Sequence, residues 1–138
     1  MKGDLIMSTP AKSIRNICLI GHKGNGKTTL AESMLYFSKA TERLGKIEQG
    51  NVILDFDAEE IKRKISISLS MASFEYKNTK INLIDVPGNY DYEGDQISAL
   101  EVSDLALIVL TAKNTVSVGT EKAWQKTEAR EMPRAFFI

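Results

Sequence analysis

With 138 residues, 43% of them hydrophobic and 26% charged, the chain has the make-up of one ordinary globular domain, which excludes fibrous and disordered classes. Its 18 basic and 18 acidic side chains cancel, so a whole-surface attraction to nucleic acid or to an anionic membrane is excluded as well. The single Cys18 cannot form an internal disulfide and suits a reducing, cytoplasmic setting, and the apolar piece Leu5 to Met7 is too short for a signal sequence or a membrane span.

Residues 1–13, with Pro10 among small polar neighbours, are expected to form a flexible tail, with the folded unit running from Ile14 to Ile138. Ile14 to Ile20 is a near-continuous apolar run, as in a parallel strand covered on both faces, and Cys18 within it is expected to be core. A glycine-rich loop follows at once. Leu30, Met34 and Leu35 then recur at helical spacing, which predicts a helix from Thr28 to about Lys39. Between Gly45 and Lys64 the chain is polar, with a short helix at "DAEEIKRK" that Asp57 would cap and Glu60 would answer.

Ile65, Ile67, Leu69 and Met71 alternate with serines, which predicts a half-buried strand. The apolar parity then changes to Phe74 and Tyr76, so a bulge or change of face is expected after Ala72. "YKNTK" reads as a hairpin turn into "INLIDV", making that pair antiparallel. A weaker helical stretch near 92–102 leads to the buried strand "DLALIVL". A helix is expected from about Thr120 to Glu131, with Ala123, Trp124 and Thr127 on one side, Trp124 serving as packing, and "RAFFI" opens a further strand.

Gly21 to Thr28 fits GxxxxGK(S/T) between a strand and a helix, the context in which successive backbone N–H groups and a helix N-terminus form a concave site for phosphate. Gly21, His22, Lys23, Gly24, Asn25 and Gly26 would form the cradle. Lys27 would reach the β- and γ-phosphates, Thr28 would bind Mg²⁺, and Thr29 is an extra donor to the α-phosphate. "DVPG" closes an apolar strand, where ligands of α/β sheets gather; Asp85 would hold Mg²⁺ through water and the Gly88 N–H would meet the γ-phosphate.

Taken together, "GHKGNGKTTL", "DFDAEEIKRKISIS" and "INLIDVPGNYDY" resemble the phosphate loop, first switch and second switch of translational GTPases, closest to elongation factor G and its paralogues. The likeness continues through "GTEKAW" and "MPRAFFI". It implies an α/β P-loop NTPase (G-domain) with a mainly parallel sheet and one antiparallel edge hairpin, truncated after the fifth strand, that uses GTP/GDP and Mg²⁺ and acts on the ribosome. Where the family carries RGIT this chain has Arg63, Lys64, Ile65 and Ser66, so Ser66 takes the place of the metal-ligating threonine and Lys64 that of a glycine. Gly24 stands where many relatives have an aspartate. Asn89 stands where the family's water-positioning histidine follows DxPG, which makes Asn89 and Lys27 the candidate catalytic residues. The guanine-reading NKxD element, expected directly after "RAFFI", does not occur in the chain, so the chain is expected to be a partial GTP-binding domain prone to self-association. A nucleotide switch that does not hydrolyse, suggested by Asn89, and an ATP-dependent enzyme sharing only the loop are the alternative readings.

Overall fold

A computed structural model describes residues 9–55, 57–89, 93–113 and 116–138. The proposed tail falls largely on residues 1–8, outside the described residues; the part inside includes a 3-10 turn at Ala11–Ser13. The chain then runs β1 (Ile14–Ile20), α1 (Lys27–Phe37), α2 (Ala58–Arg63), β2 (Ser70–Tyr76), β3 (Thr79–Asp85), α3 (Glu93–Val102), β4 (Leu105–Val109), α4 (Val118–Glu128) and β5 (Arg134–Phe137). The strands make one sheet in the order β2-β3-β1-β4-β5, in which only β2 runs antiparallel to its neighbour.

Alternation along β1 explains the layers. Cys18 and Ile20 face a core that includes Ala99, Leu100 and Ala123 of α3 and α4. Leu19, with Ile17 partly buried, faces Ala31, Leu30 and Met34 of α1 on the opposite side. Two-sided burial is why the strand reads as continuous apolar sequence. Cys18 is fully buried, and desolvation raises its thiol pKa despite a hydrogen bond with Ser103, as suits a packing residue. The parallel pairing of β1 with β3 aligns Leu19 with Asp85, so the glycine loop and "DVPG" emerge side by side from the carboxyl ends of adjacent strands.

The structure corrects three expectations. The alternating run from Ile65 is not a strand until Ser70, and β2 then pairs with β3 without a break from Ser70↔Asp85 to Tyr76↔Thr79, so there is no bulge. The apparent change of parity marks the strand's start: Ala72 and Phe74 pack towards α1, while Met71 is exposed. Residues 67 and 68 are held instead by the buried Glu60 carboxylate, whose Oε1 accepts from the Ile67 and Ser68 amides at 2.9 and 3.1 Å. The last helix begins earlier than expected, because Ser117 caps it, and ends at Glu128. There Glu131 adopts φ 50 and the Met132 amide turns back to the Thr127 carbonyl at 3.0 Å, a closure normally signalled by glycine. Trp124 packs, but at the surface: it stacks on Phe136 with ring centroids 5.8 Å apart, under the Arg134 guanidinium at 3.8 Å.

The hairpin and the capping box agree with the sequence. Lys77 and Asn78 both take positive φ, 46 and 63, as a two-residue I′-like turn requires. Asp57 Oδ1 accepts from the Glu59 amide at 2.8 Å while Glu60 answers the Asp57 amide at 3.2 Å.

Candidate nucleotide-binding site

The loop between β1 and α1 is shaped by its own backbone. Gly26 caps α1 in the left-handed region at φ 85, and its carbonyl accepts the Leu30 amide at 2.8 Å, so the helix starts directly beneath the loop. Asn25, expected only as part of the backbone cradle, also contributes its buried side chain: Nδ2 donates to the Val109 carbonyl at 2.9 Å and fastens the loop to the end of β4. Lys27 folds back inside the loop, donating to the carbonyls of Gly21 at 3.2 Å and His22 at 3.1 Å. Burial lowers its pKa and the nearby Asp85 opposes that shift. Gly88 lies so close that an added Cβ would stand 2.6 Å from Lys27 Nζ, which brings the second motif against the first.

Lys23, Gly24, Gly26, Lys27, Thr28, Ser66, Gly88 and Asn89 line one cavity of about 160 Å³, together with Ile47, Asp55, Lys64 and Ile65. Asp85 lies directly behind it, bonded to Thr28, and Gly21, His22 and Asn25 support the loop from below. Thr29 is outside this lining: it is exposed on α1 and faces an adjoining groove with Leu30, Phe37 and Phe137.

Behind the loop, four oxygens form a chain. Thr28 Oγ1 donates to Asp85 Oδ2 at 2.6 Å, Ser66 Oγ donates to Asp55 Oδ1 at 2.8 Å, and the two hydroxyl oxygens are 3.1 Å apart. Either hydroxyl can donate across the 3.1 Å contact, so the row joins two carboxylates through two hydroxyls. Both carboxyl groups have raised pKa values, mainly through burial: Asp85 to about 6, partly offset by its Thr28 hydrogen bond and by Lys27, and Asp55 upward with Ser66 opposing the shift. Asp85 Oδ1 is buried and meets no hydrogen-bond donor of good geometry among the described residues. All-oxygen ligands and a buried carboxylate oxygen without a partner fit Mg²⁺.

Asp55 and Glu32 are additions that sequence reasoning missed. Asp55 was hidden in a charged segment with no motif of its own. Glu32, fully buried on α1, accepts the Ile53 amide at 2.6 Å and the Leu54 amide at 3.3 Å, which fixes the backbone just before Asp55. Its only signal was a carboxylate on the inward side of a helix.

The elongation factor Tu GTP binding domain profile matches residues 12–138. Elongation factor G-like protein of Mycobacterium tuberculosis is 39% identical over 125 residues, covering 91% of this chain and 18% of that protein. Ribosome-releasing factor 2, mitochondrial, of Saccharomyces cerevisiae is 38% identical over 131 residues, covering 94% and 16%. The chain therefore spans less than a fifth of these relatives. A crystal structure of a Thermus thermophilus protein matches with a TM-score of 0.86 at 37% identity, over 90% of this chain and 19% of that one. The elongation factor SelB of Methanococcus maripaludis, solved with a GTP analogue, shares the fold with a TM-score of 0.66 at 24% identity, over 88% and 21%. With the profile running along nearly all of the folded residues, the chain belongs to the elongation factor Tu GTP binding domain family.

Proposed function

We propose that the protein binds GTP and GDP with Mg²⁺ and hydrolyses GTP as an elongation factor G-like factor on the ribosome. The observation that carries this reading is the meeting of Lys27, Thr28, Ser66, Gly88 and Asn89 around one cavity with Asp85 behind it. The amides of residues 21–26 and the start of α1 suit a phosphate chain, with Thr29 as an outer donor from α1. Lys27, already desolvated, exchanges the Gly21 and His22 carbonyls for β- and γ-phosphate oxygens. Thr28 and Ser66 would supply hydroxyl ligands to Mg²⁺, with the Asp85 carboxylate helping to hold it, and the bound metal would neutralise charge on the phosphates. The Gly88 amide faces the terminal phosphate, and Asn89 orients the attacking water.

Ribosome action rests on the relatives, one named elongation factor G-like and others ribosome-releasing factor 2. Among the described residues no helix is long and apolar enough to cross a membrane. A cytoplasmic setting is part of the proposal, supported by a lone buried thiol, although several relatives carry "mitochondrial" in their names.

Asn89 favours a second reading, in which the protein binds GTP as a switch and hydrolyses it little. Its side chain is shorter than glutamine and differs in shape from imidazole, so it reaches less far towards a water at the γ-phosphate. Single-turnover hydrolysis by the intact protein, with and without ribosomes, decides between the two. Slow turnover that ribosomes accelerate supports the GTPase; GTP binding with no turnover in either condition supports the switch. Selective binding of ATP over GTP overturns both.

A further inference from the structure

We propose that Lys64 is a third cationic contact for the terminal phosphoryl group, carried by the segment between α2 and β2, and that it makes this protein prefer nucleoside triphosphate over diphosphate. The inference rests on the proposed nucleotide site and assigns a residue that the phosphate-loop motif does not contain.

Lys64 closes α2 in the left-handed region, at φ 54 and ψ 41, with its amide donating to the Glu60 carbonyl. Lys77 and Glu131 take the same left-handed conformation at a turn and a helix end, so the backbone at Lys64 closes α2, and a role for its side chain rests on the cavity it borders. Its neighbours fix the backbone on either side of it. Two residues on, Ser66 is tied to Asp55 at 2.8 Å and lies 3.1 Å from Thr28 Oγ1, so the backbone around Lys64 is pinned between the helix end and the oxygen row.

Lys64 is one of the residues that line the same cavity as Lys23, Lys27, Gly88 and Asn89. No ion pair among the described residues engages it, whereas the adjacent Arg63 is paired with Glu59 at 2.9 Å. Lys23, Lys27 and Lys64 are thus three basic residues of the lining, against Asp55 in the lining and Asp85 behind Thr28. That excess of positive charge suits a polyanion. Lys27 Nζ and Gly88, the contacts for the outer phosphates, are close together. Lys64 enters from the segment that also carries Ser66, so its charge meets the terminal phosphate rather than the inner ones. Loss of that phosphate removes the partner of Lys64 and loosens the segment.

The test is equilibrium binding of GDP and of a non-hydrolysable GTP analogue to the intact protein in Mg²⁺, comparing wild type with Lys64→Met, Lys64→Gly and Lys64→Arg. Analogue affinity is expected to fall about tenfold in the Met and Gly variants, the effect of one charge-assisted contact, with GDP affinity unchanged and the Arg variant near wild type. Lys64→Gly relaxes the backbone and is expected to melt no lower than wild type, so its loss of affinity reports the missing charge and not misfolding. Unchanged analogue affinity in the Met and Gly variants, or an equal loss for GDP, overturns the assignment while leaving the nucleotide site intact. Wild type that binds neither nucleotide overturns the site itself, and this inference with it.

Discussion

Lys27, Asp85 and Asn89 are each set by their surroundings in a different way, and each predicts a different measurement. Lys27 is a desolvated cation resting on two carbonyls, a partner set that phosphate oxygens replace at a gain. Lys27→Ala is expected to lower triphosphate affinity by at least about 100-fold, read by calorimetry, and equal affinities would remove the loop from the binding site.

Asp85 predicts a pH dependence. Its folded pKa of about 6 lies above its ordinary 3.8 because burial opposes the charged form. The protonated form is thus favoured by folding: the stabilisation is fully present below pH 3.8 and is lost as the pH rises through 6. Without nucleotide or metal, the protein is expected to be less stable at pH 7.5 than at pH 5, and Asp85→Asn to be the more stable by roughly 2 kcal/mol at the higher pH. Thermal melts in chelator check this, and a variant that melts lower than wild type at pH 7.5 contradicts it. Mg²⁺ must displace the same proton, so metal affinity is expected to weaken below about pH 6. For Asn89, replacement by histidine is expected to speed single-turnover hydrolysis about tenfold or more. An unchanged rate would show that residue 89 does not position the water.

Among the elements, the segment around α2, residues 53–55 and 57–68, lies outside the sheet. It is held by two buried carboxylates, Glu32 gripping the amides of residues 53 and 54 and Glu60 those of 57, 67 and 68. Glu60→Ala would leave the three amides of 57, 67 and 68 without their acceptor. It is expected to destabilise the fold by about 2 to 3 kcal/mol and to speed hydrogen exchange selectively at 67 and 68. Uniform exchange across the domain would show that Glu60 acts only through global stability. The β2–β3 hairpin lies at the opposite extreme, being decided locally. Asn78 at φ 63 is well tolerated but glycine is better there, so Asn78→Gly is expected to raise stability by about 0.5 kcal/mol in chemical denaturation, and a loss would argue against the I′-like turn.

For the molecule as a whole, the exposed apolar surface is unevenly placed. Phe37 is 80% exposed, and Phe137, Ile138 and the outer part of Phe136 are exposed at the β5 side, where β4 is the only strand that β5 pairs with among the described residues. An open strand edge beside exposed aromatic rings favours association. The 138-residue chain by itself is expected to sediment as oligomers at tens of micromolar, and Phe37→Lys with Phe137→Lys to shift it towards monomer. A monomeric wild type would refute this. With no NKxD in its sequence, the same chain is expected to discriminate little between guanine and adenine nucleotides. Strong guanine selectivity in competition binding would show that other residues read the base.

Features that depend on neighbours along the chain were legible before folding is considered. β1 was readable to the residue because two-sided burial leaves a continuous apolar run, and the phosphate loop because a strand, a spaced pair of glycines and a helix start occur together within fifteen residues. The Asp57 to Glu60 box and the Lys77-Asn78 turn were legible for the same reason: each is closed by bonds across three residues or fewer. Packing across the fold settled the rest. It ended the alternation at Ile65–Leu69 as a loop, because Glu60 offers those amides an acceptor that no adjacent strand supplies. It placed Asp55 beside Ser66 and Thr28 beside Asp85, pairs 11 and 57 residues apart, through the alignment of β1 with β3 and the grip of Glu32 on residues 53 and 54. Bonds closed over a few residues leave a pattern in sequence, whereas a bond across the fold leaves only two polar residues whose meeting depends on how the sheet and helices pack.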